Sequence, residues 1–247
     1  MKRRTKIAAI TAVCLVAVGT TAAFAGPVIY RDFFAPPPAD VPTLTIDDSD
    51  LGGATDGGAG ESSGGDAATS ADPADFSGDW VIADGSQAGY RVDEVLNGTD
   101  VTVTGRTSDV SGTVTVDGLT VTAATIEIDV ASIATDSGSR DAYFRDQALR
   151  VSEHPTAVFE LAESITADNA PEPGVPVEHE ITGDLTIAGV TQSVDFSAQL
   201  RLDDGAVRIA GQVPIVFADY GVQAPSLGFV KVESEGFVEF DLVFQQP

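Results

Sequence analysis

The sequence predicts an all-β domain of about eight antiparallel strands with one short helix, preceded by an N-terminal hydrophobic helix and a disordered linker. Three observations support this fold class. Beyond Trp80, apolar residues recur at every second position in one stretch after another, as in strands with one dry and one wet face. Turn signals separate these stretches. Only one segment, Ser139 to Arg150, breaks the alternation and reads as a helix.

Residues 1–30 are interpreted as a membrane anchor or a signal peptide. Four of the first six residues are basic, and no charged residue follows between Ile7 and Tyr30. A helix of that length spans a hydrocarbon core of roughly 30 Å, with its basic end inside the cell. We favour an uncleaved single-pass anchor in the cell membrane, with the domain outside. The alternative is secretion after cleavage following Ala25, a position that suits a signal peptidase.

Residues 31–75 are predicted to form a disordered, acidic linker rich in Gly, Pro and Ser. Few large apolar residues follow Ile46, so this segment cannot bury enough surface to offset the entropy lost on ordering. No basic residue lies between Arg31 and Arg91, and the carboxylates therefore repel one another and extend the chain. We expect a tether that holds the folded domain, residues 76–247, away from the membrane.

The strands of residues 76–247 follow from the alternating stretches. The clearest are Val101 and Val103, Val114 and Val116, Ile126 to Val130, Ile181 to Ile187, Val194 to Leu202, and Val238 to Phe244. Turn signals lie between them at Asn97-Gly98, Asp117-Gly118, Ala188-Gly189 and Asp203-Asp204-Gly205. Sequence neighbours should therefore pair as antiparallel hairpins. The periodicity fits a closed barrel and a two-sheet sandwich equally well.

The single helix is expected to begin at Ser139-Arg140-Asp141, where a serine can cap its first turn. It would carry Tyr143, Phe144, Ala148 and Leu149.

Charge and side-chain content argue against several classes of function. Residues 76–247 carry eight basic and 28 acidic side chains, a net charge of −20, which would repel a nucleic-acid backbone. We interpret this acidity as a source of solubility. The only cysteine, Cys14, lies in the N-terminal apolar run, so the domain has neither a disulfide nor a thiol nucleophile. Its only histidines, His154 and His179, suggest neither a catalytic arrangement nor a metal site, and we predict no enzyme activity.

Several short motifs follow one another in a recognisable order. They are Asp79-Trp80-Val81-Ile82, Gly85-Ser86, Tyr90-Arg91-Val92, Gly105 to Gly112, Ile128 to Ile133, Ser139-Arg140-Asp141, His154 to Phe159, Gly183 to Thr191, Phe217 to Val222, and Val238-Glu239-Phe240. Their order and spacing resemble the YceI-like family of lipid-binding or polyisoprenoid-binding proteins. The resemblance covers about Gly78 to Phe244. This sequence departs from many members at Gly85 and near Asp93 and Glu94, where those members have histidines.

The resemblance implies a lipocalin-like antiparallel barrel whose interior takes a long apolar chain such as an isoprenoid. It also implies the absence of catalysis and is compatible with a homodimer. We expect no cofactor other than a bound isoprenoid lipid or quinone.

A tunnel for such a chain needs apolar walls and few directional contacts except near its mouth. Our candidates for the cavity wall are Tyr90, Ile126, Ile128, Phe159, Phe196, Phe217, Tyr220 and Phe240, with Tyr143 and Phe144 as residues that plug or gate one end. The alternative is that all of them simply fill the core. Arg140 is the candidate contact for a ligand's polar head; its alternative role is a structural pair with Asp141.

Two functions remain in competition at this stage. The first is binding, transport or storage of a long-chain apolar lipid, an isoprenoid by resemblance, outside the cytoplasm. The second is a non-catalytic surface-interaction or stress-related domain whose core is filled. A hydrolase ranks last because no nucleophile, base and orienting group can be assembled. A hollow barrel interior would separate the first two.

Overall fold

Residues 76–247 form an antiparallel barrel. The computed structural model describes residues 37–45, 76–203 and 205–247. Twelve strands join in one sheet. They are β1 (Gly78–Ile82), β2 (Gln87–Leu96), β3 (Thr99–Thr107), β4 (Val110–Asp117), β5 (Thr120–Asp129), β6 (Thr156–Leu161), β7 (Ile165–Thr166), β8 (Val177–Ile187), β9 (Val190–Asp203), β10 (Ala206–Val216), β11 (Ser226–Leu227) and β12 (Val230–Gln245).

The barrel closes where β1 pairs with the end of β12. One edge of β12 pairs with β10, and its other edge pairs first with β2 and then with β1, through Val81–Gln245 and Ile82–Phe244. Strands β1 and β2 are therefore two halves of one bent strand, and β3 and β4 form the bent strand that returns beside it. The ring continues through β5, β6, β8, β9 and β10 and has eight strand positions. This closed barrel decides between the two architectures that periodicity left open.

Ser86 fixes the bend between β1 and β2. Its buried hydroxyl donates to the Ala83 carbonyl at 2.8 Å and accepts from the Val243 amide at 2.9 Å. A bent strand leaves backbone groups without ladder partners, and a buried unpaired group is destabilising. Ser86 supplies the missing partner and ties the bend to β12.

The hairpin turns lie where the sequence predicts them. Asn97 and Gly98 join β2 to β3 with φ of 51° and 81°, and Ala188 and Gly189 join β8 to β9 with φ of 50° and 79°. Positive φ at both central residues matches the twist of the flanking strands. At Gly189 a side chain would also clash, because its Cβ would lie 2.5 Å from the His154 imidazole.

The N-cap of the helix is Ser137, two residues before the predicted cap, Ser139. Helix α1 spans Gly138–Tyr143, and Ser137 rather than Ser139 accepts the Arg140 amide at 3.5 Å. A π-helical turn, Phe144–Ala148, continues it, and a short 3₁₀ helix, Phe217–Tyr220, follows β10. Both lie at the end of the barrel where β5 ends.

Two apolar clusters lie at the two ends of the barrel. The helix-end cluster comprises Val130, Ile133, Leu149, Ala157, Leu185, Ile187, Ala188, Phe196, Ala198, Val213 and Tyr220. The mouth-end cluster comprises Phe76, Trp80, Ile126, Leu202, Leu242 and Phe244. Each strand contributes inward residues at alternate positions, as the period-two pattern predicts.

The predicted anchor or signal segment, residues 1–30, lies outside the described residues. Within the described ranges, no helix is long and apolar enough to cross a bilayer. Of the predicted linker, residues 37–45 are described, and this segment lies against the outer wall of the barrel. Ala39 contacts β2 and β3 through Arg91 and Thr104, and Leu44 donates its amide to Gln199 of β9 at 2.7 Å. Disorder of the linker as a whole remains a prediction.

A buried ion cluster lies on the same outer wall. The Glu239 carboxylate has no exposed surface, and it accepts hydrogen bonds from Arg91, at 2.5 Å, and from Arg106 and Gln212. Arg91 also donates to the Ala39 carbonyl of residues 37–45. Two guanidinium groups and one carboxylate thus link β2, β3 and β12, and the Gln212 amide adds β10. Removing the carboxylate would leave two partly buried cations without their shared anion.

We therefore predict that Glu239→Gln lowers the free energy of unfolding by about 3–5 kcal/mol, the usual cost of breaking a buried pair. Urea denaturation measures this change. The matched control is Glu233→Gln on the same strand, whose 3.0 Å pair with Lys231 is exposed and should cost less than about 1 kcal/mol. Equal losses in the two variants would contradict this account.

Candidate binding cavity

The barrel encloses a cavity of about 1360 Å³. Its walls run from Leu185 and Val213 in the helix-end cluster to Trp80 and Phe244 in the mouth-end cluster. Small-molecule sites typically occupy roughly 300–1,000 Å³, so this cavity has room for a long ligand. The alternative expectation from the sequence was a filled core. The described barrel is hollow instead.

Small side chains keep the interior open. Ala88, Ala124, Ala157 and Ala198 all line the cavity, on β2, β5, β6 and β9. An eight-stranded barrel is just wide enough for large inward side chains to fill it. Alanine at these positions leaves the central space empty.

Glycines let the larger rings lie against the wall. A Cβ on Gly183 would lie 2.3 Å from the Phe159 ring, and a Cβ on Gly211 would lie 2.8 Å from the Phe240 ring. Phe196 lies between the two phenylalanines and meets each edge to face, with ring centroids 5.7 Å apart. These three rings form one apolar band along the cavity wall.

The structure brings together five of the ten residues that the sequence singled out as cavity wall or plug. Ile126, Ile128, Phe159, Phe196 and Phe240 line the cavity. Their contact with a ligand remains a prediction.

The other five lie outside the cavity wall, toward the helix end. Tyr90 stacks on Phe144 with centroids 4.8 Å apart, and Phe217 packs beside Gly236. Tyr220 is buried in the helix-end cluster, where its hydroxyl has no partner among the described residues, and Tyr143 is largely exposed. Tyr90, Phe144 and Tyr220 pack together in the apolar cluster at that end of the barrel, and Tyr143 does not join them.

Arg140 also lies outside the cavity wall. Its guanidinium pairs with Asp136 at 2.5 Å and with Glu94 at 3.4 Å. Asp141, which the sequence suggested as its partner, instead accepts from the amide and the hydroxyl of Thr135. The head-group role predicted for Arg140 stays untested.

The electrostatics of the closed end act on Tyr90. Burial raises the pKa of Tyr90 to about 12; Arg140 opposes the rise, and Asp141, Glu94 and Asp136 add to it. Burial, with a contribution from Asp219, also raises the pKa of Tyr220. The closed end therefore favours neutral phenols over phenolates.

Tyr90 gives the fold a pH dependence at high pH. An unfolded tyrosine loses its proton near pH 10 and folded Tyr90 near pH 12, so between these values the unfolded state binds fewer protons. Below about pH 10, neutral Tyr90 makes its full contribution to the free energy of unfolding. Between about pH 10 and pH 12 this contribution falls by roughly 1.4 kcal/mol per pH unit.

We predict that Tyr90→Phe reduces the fall in unfolding free energy between about pH 9 and pH 11 by roughly 1 kcal/mol or more. Urea denaturation of the wild type and the variant at the two pH values measures this difference. Tyr220, whose pKa is also raised, contributes to the fall in both proteins and therefore cancels in the comparison. Identical falls in the two proteins would contradict the assignment.

The opposite end of the cavity is its mouth. It lies beside the turn between β4 and β5, at Gly118 and Leu119, and beside residues 167–175 of the loop between β7 and β8. Two backbone bonds hold this loop: the Ala167 amide donates to Leu119 at 3.0 Å, and the Gly174 amide donates to Leu202 at 2.9 Å. The mouth therefore has a defined border.

The mouth carries the cavity's polar side chains, which we call the polar rim. They are Asp168, Asn169, Glu172 and His179. His179 had no binding role among the candidates drawn from the sequence. Extending the inward alternation of Ile187, Leu185, Gly183 and Ile181 back along β8 would have placed His179 on the inner face. The loop residues gave no periodic signal.

The arrangement is suited to holding an apolar molecule. Among the described residues, no three His, Cys, Asp or Glu side chains converge as they would around a metal ion. Trp80, the only tryptophan of the sequence, lines the cavity and donates its indole N–H to the Phe76 carbonyl at 2.9 Å. A quenching ligand inside the cavity would therefore lower the intrinsic tryptophan fluorescence of the protein.

Comparison with known proteins agrees with this geometry. A family model for the YceI-like domain matches residues 59–244. A polyisoprenoid binding domain from Saccharophagus degradans, implicated in plant cell wall breakdown, has a TM-score of 0.55 and 20% identity, covering 68% of this chain and 98% of its own. No curated protein sequence matches the chain significantly.

Two further structures are less similar. For BcnA from Burkholderia cenocepacia the TM-score is 0.48 at 21% identity, covering 62% of this chain and 95% of that one. For the YCEI protein of Campylobacter jejuni the TM-score is 0.41 at 19% identity, covering 56% of this chain and 83% of that one.

Proposed function

The chain belongs to the YceI-like family, and on this premise we propose that its barrel binds one long-chain apolar lipid, an isoprenoid, outside the cytoplasm. The proposal covers binding, transport or storage and includes no catalytic step. The observation that carries it is the apolar cavity of about 1360 Å³.

The cavity wall matches a hydrocarbon chain in kind. Below the polar rim its surface is made of aliphatic and aromatic side chains, with the band of Phe159, Phe196 and Phe240 along one side. Each methylene transferred from water to such a wall contributes roughly 0.8 kcal/mol. A chain of isoprene units gains affinity along its whole length and needs few directional contacts.

The ligand class draws support from the fold relative. The domain from Saccharophagus degradans, which this chain resembles at the level of the fold, is described as a polyisoprenoid binding domain. A long, slender chain also suits an eight-stranded barrel, whose interior is narrow.

The location outside the cytoplasm is proposed from residues 1–30, either as an anchor or as a segment removed after Ala25. With an uncleaved anchor, only six residues, 31–36, would separate the anchor from residues 37–45, which lie on the barrel wall. Six residues reach at most about 20 Å, so the barrel would lie next to the bilayer from which an apolar ligand comes.

We predict that a prenyl quinone quenches the Trp80 fluorescence of the full chain saturably, at a stoichiometry of one. Ala124→Phe, which places a ring inside the cavity, is expected to weaken binding at least about tenfold, since a chain cannot share that space. The matched control is Ala123→Phe on the neighbouring outward position, which is exposed and should bind like wild type.

Circular dichroism and urea denaturation establish that both variants are folded before the titrations are compared. Equal weakening in the two variants, or linear quenching without saturation in the wild type, would count against a cavity site.

A further inference from the structure

Among the described residues, the charged side chains, the amide and the imidazole that line the cavity lie at its mouth. Beyond the polar rim of Asp168, Asn169, Glu172 and His179, the residues that line the cavity are apolar. A polar group buried without a partner is strongly disfavoured. A ligand with one polar end therefore keeps that end at the rim and its hydrocarbon chain inside.

The rim carries carboxylates, and among the residues that the structure describes no Lys or Arg lines the cavity. Seven of the eight basic residues of 76–247 already face carboxylates. These pairs are Arg91 and Arg106 with Glu239, Arg140 with Asp136, Arg150 with Glu153, Arg201 with Asp203, Arg208 with Asp241, and Lys231 with Glu233. The described residues of the cavity thus provide no lysine or arginine to pair with an anionic head group.

The eighth basic residue, Arg145, is far from the mouth. It lies in the π-helical turn that follows α1, beyond the end of β5, whereas the mouth lies at the start of β5. Ten strand residues at about 3.3 Å each separate these ends by roughly 30 Å. Solvent and salt screen a charge at that distance.

We propose that the polar rim selects isoprenoids with an uncharged head, such as a prenyl alcohol or quinone, and rejects those with a phosphate or diphosphate head. An anionic head at the rim meets the carboxylates of Asp168 and Glu172 without a lysine or arginine beside them. A hydroxyl or carbonyl head instead finds the Asn169 amide and the His179 imidazole, each of which has a donor and an acceptor. This inference rests on the proposed function.

The test compares two ligands that share one hydrocarbon chain, geranylgeraniol and geranylgeranyl diphosphate. Both are titrated into the full chain as competitors of a quenching prenyl quinone, with Trp80 fluorescence as the signal. At low salt the alcohol is expected to bind about tenfold or more tightly than the diphosphate. Added salt should reduce this ratio, because it screens charges at an exposed rim.

Charge variants locate the source of the preference. Asp168→Asn combined with Glu172→Gln should remove most of the ratio, and Asp168→Lys combined with Glu172→Lys should bring the diphosphate to equal or tighter binding. The matched control for the first pair, Asp146→Asn combined with Glu235→Gln, removes the same two negative charges at exposed positions on the far end of the barrel. It should leave the ratio close to the wild-type value.

The outcomes separate the two proposals. Equal binding of alcohol and diphosphate to the wild type, or an equal effect of rim and control variants, would overturn the selection by the rim while leaving lipid binding intact. Failure of either ligand to displace the quinone, together with unsaturable quenching by the quinone itself, would overturn the proposed function.

Discussion

The binding cavity depends on how large and small side chains are distributed around the inner wall of one closed barrel. Alanines at inward positions and glycines beneath the Phe159 and Phe240 rings keep the centre of the barrel empty. The same strands with large residues at every inward position would give a packed core. Closure through the β1–β12 pairing makes this arrangement a cavity instead of an open face.

The two ends of the barrel and its outer wall have different roles. At the helix end, Tyr90, Phe144 and the neighbouring helical turns close the barrel, and at the mouth end a loop with acidic side chains borders the opening. On the outer wall, Glu239 joins two arginines, one of which also holds residues 37–45. Stability thus comes from the wall and its outer ion cluster, which leaves the interior free to contain a ligand.

The sequence foretold the wall of the cavity better than its ends. Period-two alternation identified the strands that carry Ile126, Phe196 and Phe240, because every second side chain of a strand faces inward and is apolar. Closure depends on a pairing between residues more than 160 positions apart, which no local pattern reports. The rim residues Asp168 and Glu172 lie in an irregular loop, where no periodic pattern distinguishes them from the other acidic residues.

Native mass spectrometry of the full chain purified from its own host would reveal directly whether the barrel holds a lipid. We expect a complex with one apolar molecule per barrel, which organic solvent releases and which carries an isoprenoid chain with an uncharged head. A spectrum that shows only the bare polypeptide, from cells that contain such lipids, would contradict it.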